Sequence, residues 1–477
     1  MSEFSNLLTD LIQTQNINVA SLTRYCGLDR STMYKLINGK RSPSSRELVQ
    51  KIAEFIHLNP WERQQLMESY EITRLGSEIY YQRKAIQRFI LNLKEIQKTS
   101  LPPSADFPEE LPPTASEAVP LTGKVQVSAA VHSIFRRAAA SATGGIGILA
   151  QPDHLETLDI VPSLVQASKN LKIDHIICLN NTKQSIPFKH NYNLQGLSKI
   201  IPFYGTRCKY QPYYYYDNIV SHFGSFNLMT CLFLTETEVV LCNSDLSGGF
   251  FLHSAQMTAP LRQHFQRLLS MAFPMVLSFD SSLEFHFKKL PELFSADRDA
   301  YSLSYEPCLS PCVSPEFLDK YLAPAFKQRG DFLDQLQTYF QTGSWSHNFF
   351  SETGLTQFAK TGRLHEIPPE LYAPIEPSDR IRLLRKYIRL LDSGLDIRMY
   401  RGALSSFPSN FHMLSAANFG YLMFISQSSY YSYLILEEPN LLNAFFDFAS
   451  SLEETDLLAS VQETRSCLQN TLNVLGG

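Results

Sequence analysis

Six prolines fall between Thr99 and Gly123, at Pro102, Pro103, Pro108, Pro112, Pro113 and Pro120, spaced by Ser, Thr and Glu. Proline locks φ and removes a backbone donor, so this density disfavours helix and sheet alike, and residues 99–123 read as a semi-rigid linker. The chain is therefore expected to fold as separate bodies on either side. Length agrees, because 477 residues exceed what one core organises when domains cluster near about 100 to 200 residues. With 44% hydrophobic and 18% charged residues, the chain has material for packed cores and lies far from the composition of disorder.

Charge divides across the linker. The formal net charge is -4, yet residues 1–98 hold 14 Lys and Arg against 10 Asp and Glu, whereas the remainder holds 28 against 36. A polyanionic partner is thus expected at the N-terminal part alone. The eight cysteines need no disulfide framework, and no charged-then-apolar leader opens at Met1-Ser2-Glu3-Phe4, so a cytoplasmic protein with reduced thiols is expected. Apolar runs such as Leu422-Met423-Phe424-Ile425 are far too short to span a bilayer, and no membrane partner is expected. Cys308 and Cys312 suggest half a metal site, but tetrahedral zinc needs two further ligands and no second pair accompanies them. Neither a metal nor a cofactor is expected.

Residues 1–70 read as an all-α domain of short helices with polar starts. Phe4, Leu7, Leu8, Leu11 and Ile12 recur at helical spacing, a second helix spans Val19 to Cys26 and stops at Gly27, and a third opens at Asp29 or Arg30 and runs to Ile37. Ser44-Ser45 caps a fourth and Asn59-Pro60 begins a fifth. That fifth helix is predicted to continue through residues 71–98, because Ile72, Leu75, Ile79, Gln82, Ile86, Phe89, Leu93 and Ile96 repeat as a heptad seam. Such a seam suits a homodimer.

Beyond the linker the periodicity changes to an α/β body in two halves, 124–275 and 276–477. The first half shows a helix at Val125 to Ala142, a helix at Leu155 to Leu171, a strand at Ile173 to Leu179, a hairpin through Leu234 and Val239, a strand at Gly249 to His253 and a helix at Leu261 to Met271. The second repeats the series with helix Ile381 to Leu391, strand Asp396 to Tyr400, hairpin His412 to Ser426, strand Tyr431 to Leu436 and helix Leu441 to Ser450. A helical insert is expected between Ser314 and Gly362, including Phe317 to Phe326 and Phe332 to Phe340.

The stretch from Leu22 to Ser44, with Gly27 at a turn, Leu36 and Ile37 on a buried side and Asn38-Gly39-Lys40-Arg41 after it, resembles the helix-turn-helix of the lambda-repressor/Cro-like (XRE) family. It departs from that pattern at Tyr25-Cys26 and at Ile37, away from the reading face. The resemblance implies a partner, double-stranded DNA. Arg30, Ser31 and Lys35 would meet base edges in the major groove, with Thr32 and Tyr34 at phosphate or thymine methyl. Asn38, Lys40 and Arg41 would meet the sugar-phosphate backbone.

The order of elements in the body resembles a phospholipase-D-like fold, in which each half of an active enzyme supplies a His-x-Lys-x4-Asp motif. The corresponding positions here are Asn227-Leu-Met229 and His412-Met-Leu414, without the paired nucleophile or a phosphate-holding lysine. His286-Phe-Lys288 lacks the Asp, having Leu293 in its place. No enzyme activity is expected. Two tyrosine clusters, Tyr210 with Tyr213 to Tyr216 and Tyr430 with Tyr431 and Tyr433, offer Tyr213, Tyr215 and Tyr431 as candidates for binding a small-molecule or protein effector. Tyrosine is equally a common strand residue. The reading is a sequence-specific transcriptional regulator; the alternatives are a DNA-targeted nucleic-acid-processing or defence enzyme and a DNA-bound protein scaffold.

Overall fold

The computed structural model describes residues 2–96, 117–141, 144–152, 156–166, 168–180, 191–219, 228–279, 299–323, 346–365, 367–425 and 431–476. Contacts divide the chain into two compact units, the first holding the residues up to Ala85 together with Asn191 and the second the other described residues from Ile86 on.

The first unit is built from α1 (Glu3–Thr14), α2 (Val19–Tyr25), α3 (Arg30–Ile37), α4 (Arg46–Phe55) and α5 (Pro60–Leu75). Each starts behind a side chain that accepts from an otherwise unpaired amide of its first turn: Ser2, Asn18, Asp29, Ser45 and Asn59, the last in a reciprocal box with Glu62. Phe4, Leu8, Leu22, Met33, Leu36, Val49, Ile52 and Leu66 meet in one core. Glu71 of α5 is buried between Arg46 of α4, at 2.7 Å, and Arg74, at 3.1 Å, and so ties α4 to α5.

The single helix expected through residue 98 is two helices. Gly76 takes φ +85°, a conformation that ends α5, and α6 (Ser77–Ile96) starts again. The seam also differs from expectation. Ile86, Phe89 and Leu93 are buried within the chain itself, and the Phe89 ring meets that of Phe445 edge-on, with centroids 5.7 Å apart. The stretch from Ile86 to Leu93 is thus filled within the chain, whereas Leu75 is half-buried and Ile79 exposed.

The second unit carries two mixed sheets. Of the expected linker, residues 99–116 lie outside the described set, but Pro120 does not exclude sheet: β1 (Ala118–Thr122) pairs antiparallel with β7 (Gly248–Leu252). As an edge strand, β1 tolerates the missing amide. The first sheet continues through β6 (Val239–Cys242), β5 (Cys231–Leu234), β2 (Gly145–Leu149), β3 (Lys172–Leu179), β4 (Lys209–Tyr216) and β8 (Phe273–Pro274). The second runs β12 (Asp396–Met399), β11 (His347–Phe350), β10 (Ala300–Leu303), β13 (Phe411–Ala416), β14 (Gly420–Ile425), β15 (Tyr431–Leu436) and β9 (Val276–Phe279).

Apart from the edge strands β1, β8 and β9, the two orders match element for element. Each half lays three parallel strands side by side and adds an antiparallel meander of three, whose first member pairs with the first parallel strand. Helices α7 (Gly123–Ala140), α8 (Glu156–Leu164), α9 (Tyr192–Ile200) and α10 (Ala255–Met271) serve the first half. The second has α11 (Pro315–Tyr321), α12 (Glu352–Thr361), α13 (Pro377–Asp392), α14 (Pro439–Ser451) and α15 (Val461–Gly476). In both, the helix after the meander returns over the parallel strands. Phe265 of α10 lies so close to Gly147 of β2 that an added Cβ would sit 2.7 Å from the ring, and Phe446 of α14 meets Tyr301 of β10.

The helical insert is corrected by this topology. Residues 314–362 contain β11, the middle parallel strand of the second sheet, between α11 and α12; Phe332 to Phe340 lies outside the described residues. The strand at Asp396 accordingly corresponds to β4 and not to β3.

Burial of Ile86 gives a direct test. Ile86→Ala should cost about 2 to 5 kcal/mol of stability in chemical denaturation, as a cavity in a closed core does, while leaving the molecular mass by light scattering unchanged. A change of mass without loss of stability would return the seam to a second chain.

Candidate nucleic-acid interface

The surface begins with a turn. Four residues separate α2 from α3, and Gly27 among them takes φ +66°, the left-handed conformation that glycine adopts without a Cβ penalty. Asp29 then caps α3: its carboxylate accepts from the Thr32 amide at 2.8 Å and from the Thr32 hydroxyl at 2.6 Å. The Thr32 hydroxyl and amide hold the Asp29 carboxyl below the usual carboxylate range. The Thr32 hydroxyl proton is thereby committed to the cap, which leaves its methyl group as the part able to meet a thymine methyl.

Of the eight residues of α3, only Met33 and Leu36 are buried, and they anchor the helix in the core. Arg30, Ser31, Tyr34 and Lys35 are exposed. The Arg30 guanidinium lies over the Tyr34 ring, 5.8 Å from its centroid, a cation–π contact one turn apart that restrains both side chains. After α3 the chain winds back tightly, with the Lys40 and Arg41 amides both donating to the Lys35 carbonyl, at 2.8 and 3.1 Å. Asn38, Lys40 and Arg41 are exposed on this turn. From Arg30 to Arg41 there are four cations and no carboxylate. The contribution of Asp29 was legible only as a helix opener; its bond to Thr32, three residues on, commits the Thr32 hydroxyl proton.

The tyrosine candidates are not brought together in this way. Tyr213 and Tyr215 are half-buried on one face of β4 and pack against the core of the first half. Tyr431 belongs to the core of the second half, and its hydroxyl donates to the His365 carbonyl at 3.0 Å, which corrects its expected role as an effector contact. Tyr210 is likewise structural: it is stacked on Phe203 and bonded to Nδ1 of His175, whose pKa burial pushes down to about 4. Tyr430 lies outside the described residues.

The phosphodiesterase constellation is not present among the described residues of the body. The strand that occupies the place of β13 in the first half is β5, Cys-Leu-Phe-Leu, buried throughout. His412 in β13 is buried, with Nε2 3.3 Å from the Ser302 hydroxyl. Asn227 and His286 to Lys288 lie outside the described residues. Cys308 and Cys312 are buried and in no disulfide, and burial pushes the Cys312 thiol up to about 12. Among the described residues no helix is long and apolar enough to cross a membrane.

No family model and no curated protein matches the chain. Among solved structures, an archaeal chromatin protein, TrmBL2, whose structure is described as showing a novel mode of DNA binding, is 10% identical with a TM-score of 0.21. That match covers 57% of this chain and 99% of the other. A superposition of that depth carries no structural or functional inference.

The cap and the cationic surface can be separated experimentally. Asp29→Ala should speed amide exchange in the first turns of α3 roughly fivefold, whereas Asp29→Asn, which can still accept from the Thr32 amide, should leave it nearly unchanged. Equal acceleration in both would assign the effect to charge and not to capping.

Proposed function

We propose that the first unit is a helix-turn-helix of the lambda-repressor/Cro-like kind that reads double-stranded DNA, and that the chain is a sequence-specific transcriptional regulator. The observation that carries this is α3, anchored by Met33 and Leu36 with Arg30, Ser31, Tyr34 and Lys35 turned outward at the start of a helix that follows a four-residue turn. A helix presented in this way fits the major groove, where Arg30 can give guanine a bidentate pair and Lys35 can reach neighbouring acceptors. Its stacking on Tyr34 reduces the side-chain freedom lost on binding. Asn38, Lys40 and Arg41 serve as phosphate contacts that set position.

The body acts, on this reading, as an effector or oligomerisation module without phosphodiester chemistry. Neither β5 nor β13 has the His-x-Lys pair that would attack and hold a phosphate. A helix-turn-helix unit covers one half-site, so the DNA-bound form is proposed to be a homodimer, with its contact outside the buried Ile86 to Leu93 stretch of α6.

Selection of bound sequences from random duplexes, followed by fluorescence anisotropy over a salt series, tests the reading head. Arg30→Ala should weaken the best site by about 1 to 3 kcal/mol and relax preference at one base pair. Lys40→Ala should weaken all duplexes alike and reduce the salt slope by about 1. Equal, sequence-independent losses from both would remove Arg30 from base readout, and no duplex binding at all would overturn the reading.

A second assay addresses the body. Incubation of the purified chain with duplex and single-stranded DNA, RNA and phosphodiester lipids should give no turnover above background; activity abolished by His412→Ala would restore the enzyme alternative.

A further inference from the structure

A polar cluster at the opening of the parallel strands of the second sheet is not used by the DNA interface. His347 opens β11 and Asp396 opens β12, and the two are register partners, so their side chains stand together on one face. Tyr301 of β10 completes the row, its ring stacked on the imidazole with centroids 4.1 Å apart and planes 10° from parallel. Glu453 approaches from the single turn of 3-10 helix, Leu452–Glu454, that follows α14, and Asp299 from the residue before β10.

Their distances leave a question of charge. His347 Nδ1 lies 3.0 Å from Asp396 Oδ2 and 2.9 Å from Glu453 Oε1, while Nε2 lies 3.1 Å from Asp299 Oδ1. A ring nitrogen carries at most one proton, which can point well at one carboxylate oxygen and not at two. Nδ1 nevertheless meets two, and one ligand atom from each of the three residues falls within 4.8 Å of the others. A divalent cation in place of that proton satisfies both carboxylates at once.

The surroundings have the form that orients metal ligands. Asp299 can accept from Nε2–H, which leaves the Nδ1 lone pair toward Asp396 and Glu453. Arg398 donates to Asp396 Oδ1 at 2.6 Å and so leaves Oδ2 to the cluster. His347 and Asp396 are mostly buried, whereas Glu453 is 34% exposed and opens the cluster to solvent. In the first half the opening residues of the parallel strands are Gly145, Lys172 and Lys209, in register, so strand order alone does not create this donor set.

We propose that His347 Nδ1, Asp396 Oδ2 and Glu453 Oε1 bind one divalent transition-metal cation of the manganese or zinc class, with Asp299 and Arg398 as orienting partners. One imidazole with two carboxylates suits these ions better than calcium or magnesium, which favour all-oxygen sets. Adjacent donors of a tetrahedral shell at about 2.0 Å are about 3.3 Å apart, so the 3.0 and 2.9 Å separations from His347 Nδ1 need only a small expansion. Three protein donors leave at least one position for water or an anionic ligand on the side of Glu453.

The full-length chain, stripped with chelator and dialysed, is titrated with Mn²⁺ while the free ion is read by electron paramagnetic resonance, and with Zn²⁺ by calorimetry. One saturable equivalent of either ion is expected, at least tenfold weaker in Glu453→Gln. That substitution keeps the side-chain size on a partly exposed turn; Asp396→Asn provides the second variant, with circular dichroism confirming that both fold. Uptake of neither ion, or uptake that Glu453→Gln leaves within twofold and therefore belongs to thiols or surface carboxylates, overturns the proposal.

Discussion

Open sheet edges are the constraint on which the second unit depends, since each presents a row of unpaired amides and carbonyls. Seven residues, Phe273 to Phe279, close two of them. As β8 they pair with β4, and as β9 they pair with β15. Met275 between them is fully buried; its amide donates to the Pro212 carbonyl at 3.0 Å and its carbonyl accepts from the Glu437 and Glu438 amides at 3.1 and 3.3 Å. The Gln211 side-chain amide donates to the Val276 carbonyl at 2.8 Å. Glu438 then carries the junction into the helical layer, bonding the Tyr216 hydroxyl while capping α14 through the Leu441 amide at 2.6 Å. Because α14 covers Tyr301 and leads directly to Glu453, the cation cluster inherits its geometry from this junction.

Local rules made the first unit legible. Each helix start there is announced by Ser, Asn or Asp immediately before it, and the buried residues recur at helical spacing, so partners lie within a few residues. The hairpins and their closing helices in the body followed from similar short-range signals. What escaped was decided at long range. In β10, Ala-Tyr-Ser-Leu is buried on both faces and shows no alternation, and β11 offers only four residues. Residues 209–216 presented themselves as a cluster of tyrosines, although β3 on one side and β8 on the other make them a strand.

The seam in α6 shows a different limit. Heptad spacing reports that one side of a helix is apolar; it does not say which chain covers that side, and here Phe445 does so for Phe89. Thr32 is a smaller case, in which the hydroxyl proton of a side chain on the expected face is taken up by the cap of its own helix. The cation cluster gave no sequence signal at all. His347 and Asp396 stand 49 residues apart and are joined only by strand register, so no ligand spacing of the kind found on one helix or hairpin was present to be read.

The junction at Met275 sets the parallel-strand edge of one copy beside the meander edge of the other, a head-to-tail union and not a two-fold one. In a two-fold union a single surface must complement itself, and equivalent positions remain yoked by that requirement. Here each copy meets its neighbour through different residues, so a substitution in one imposes no matching demand on its counterpart. Duplicated halves joined in this manner are free to drift apart in chemistry while holding the same strand order. Lysines at the opening of one set of parallel strands and a histidine with carboxylates at the other are what such release permits.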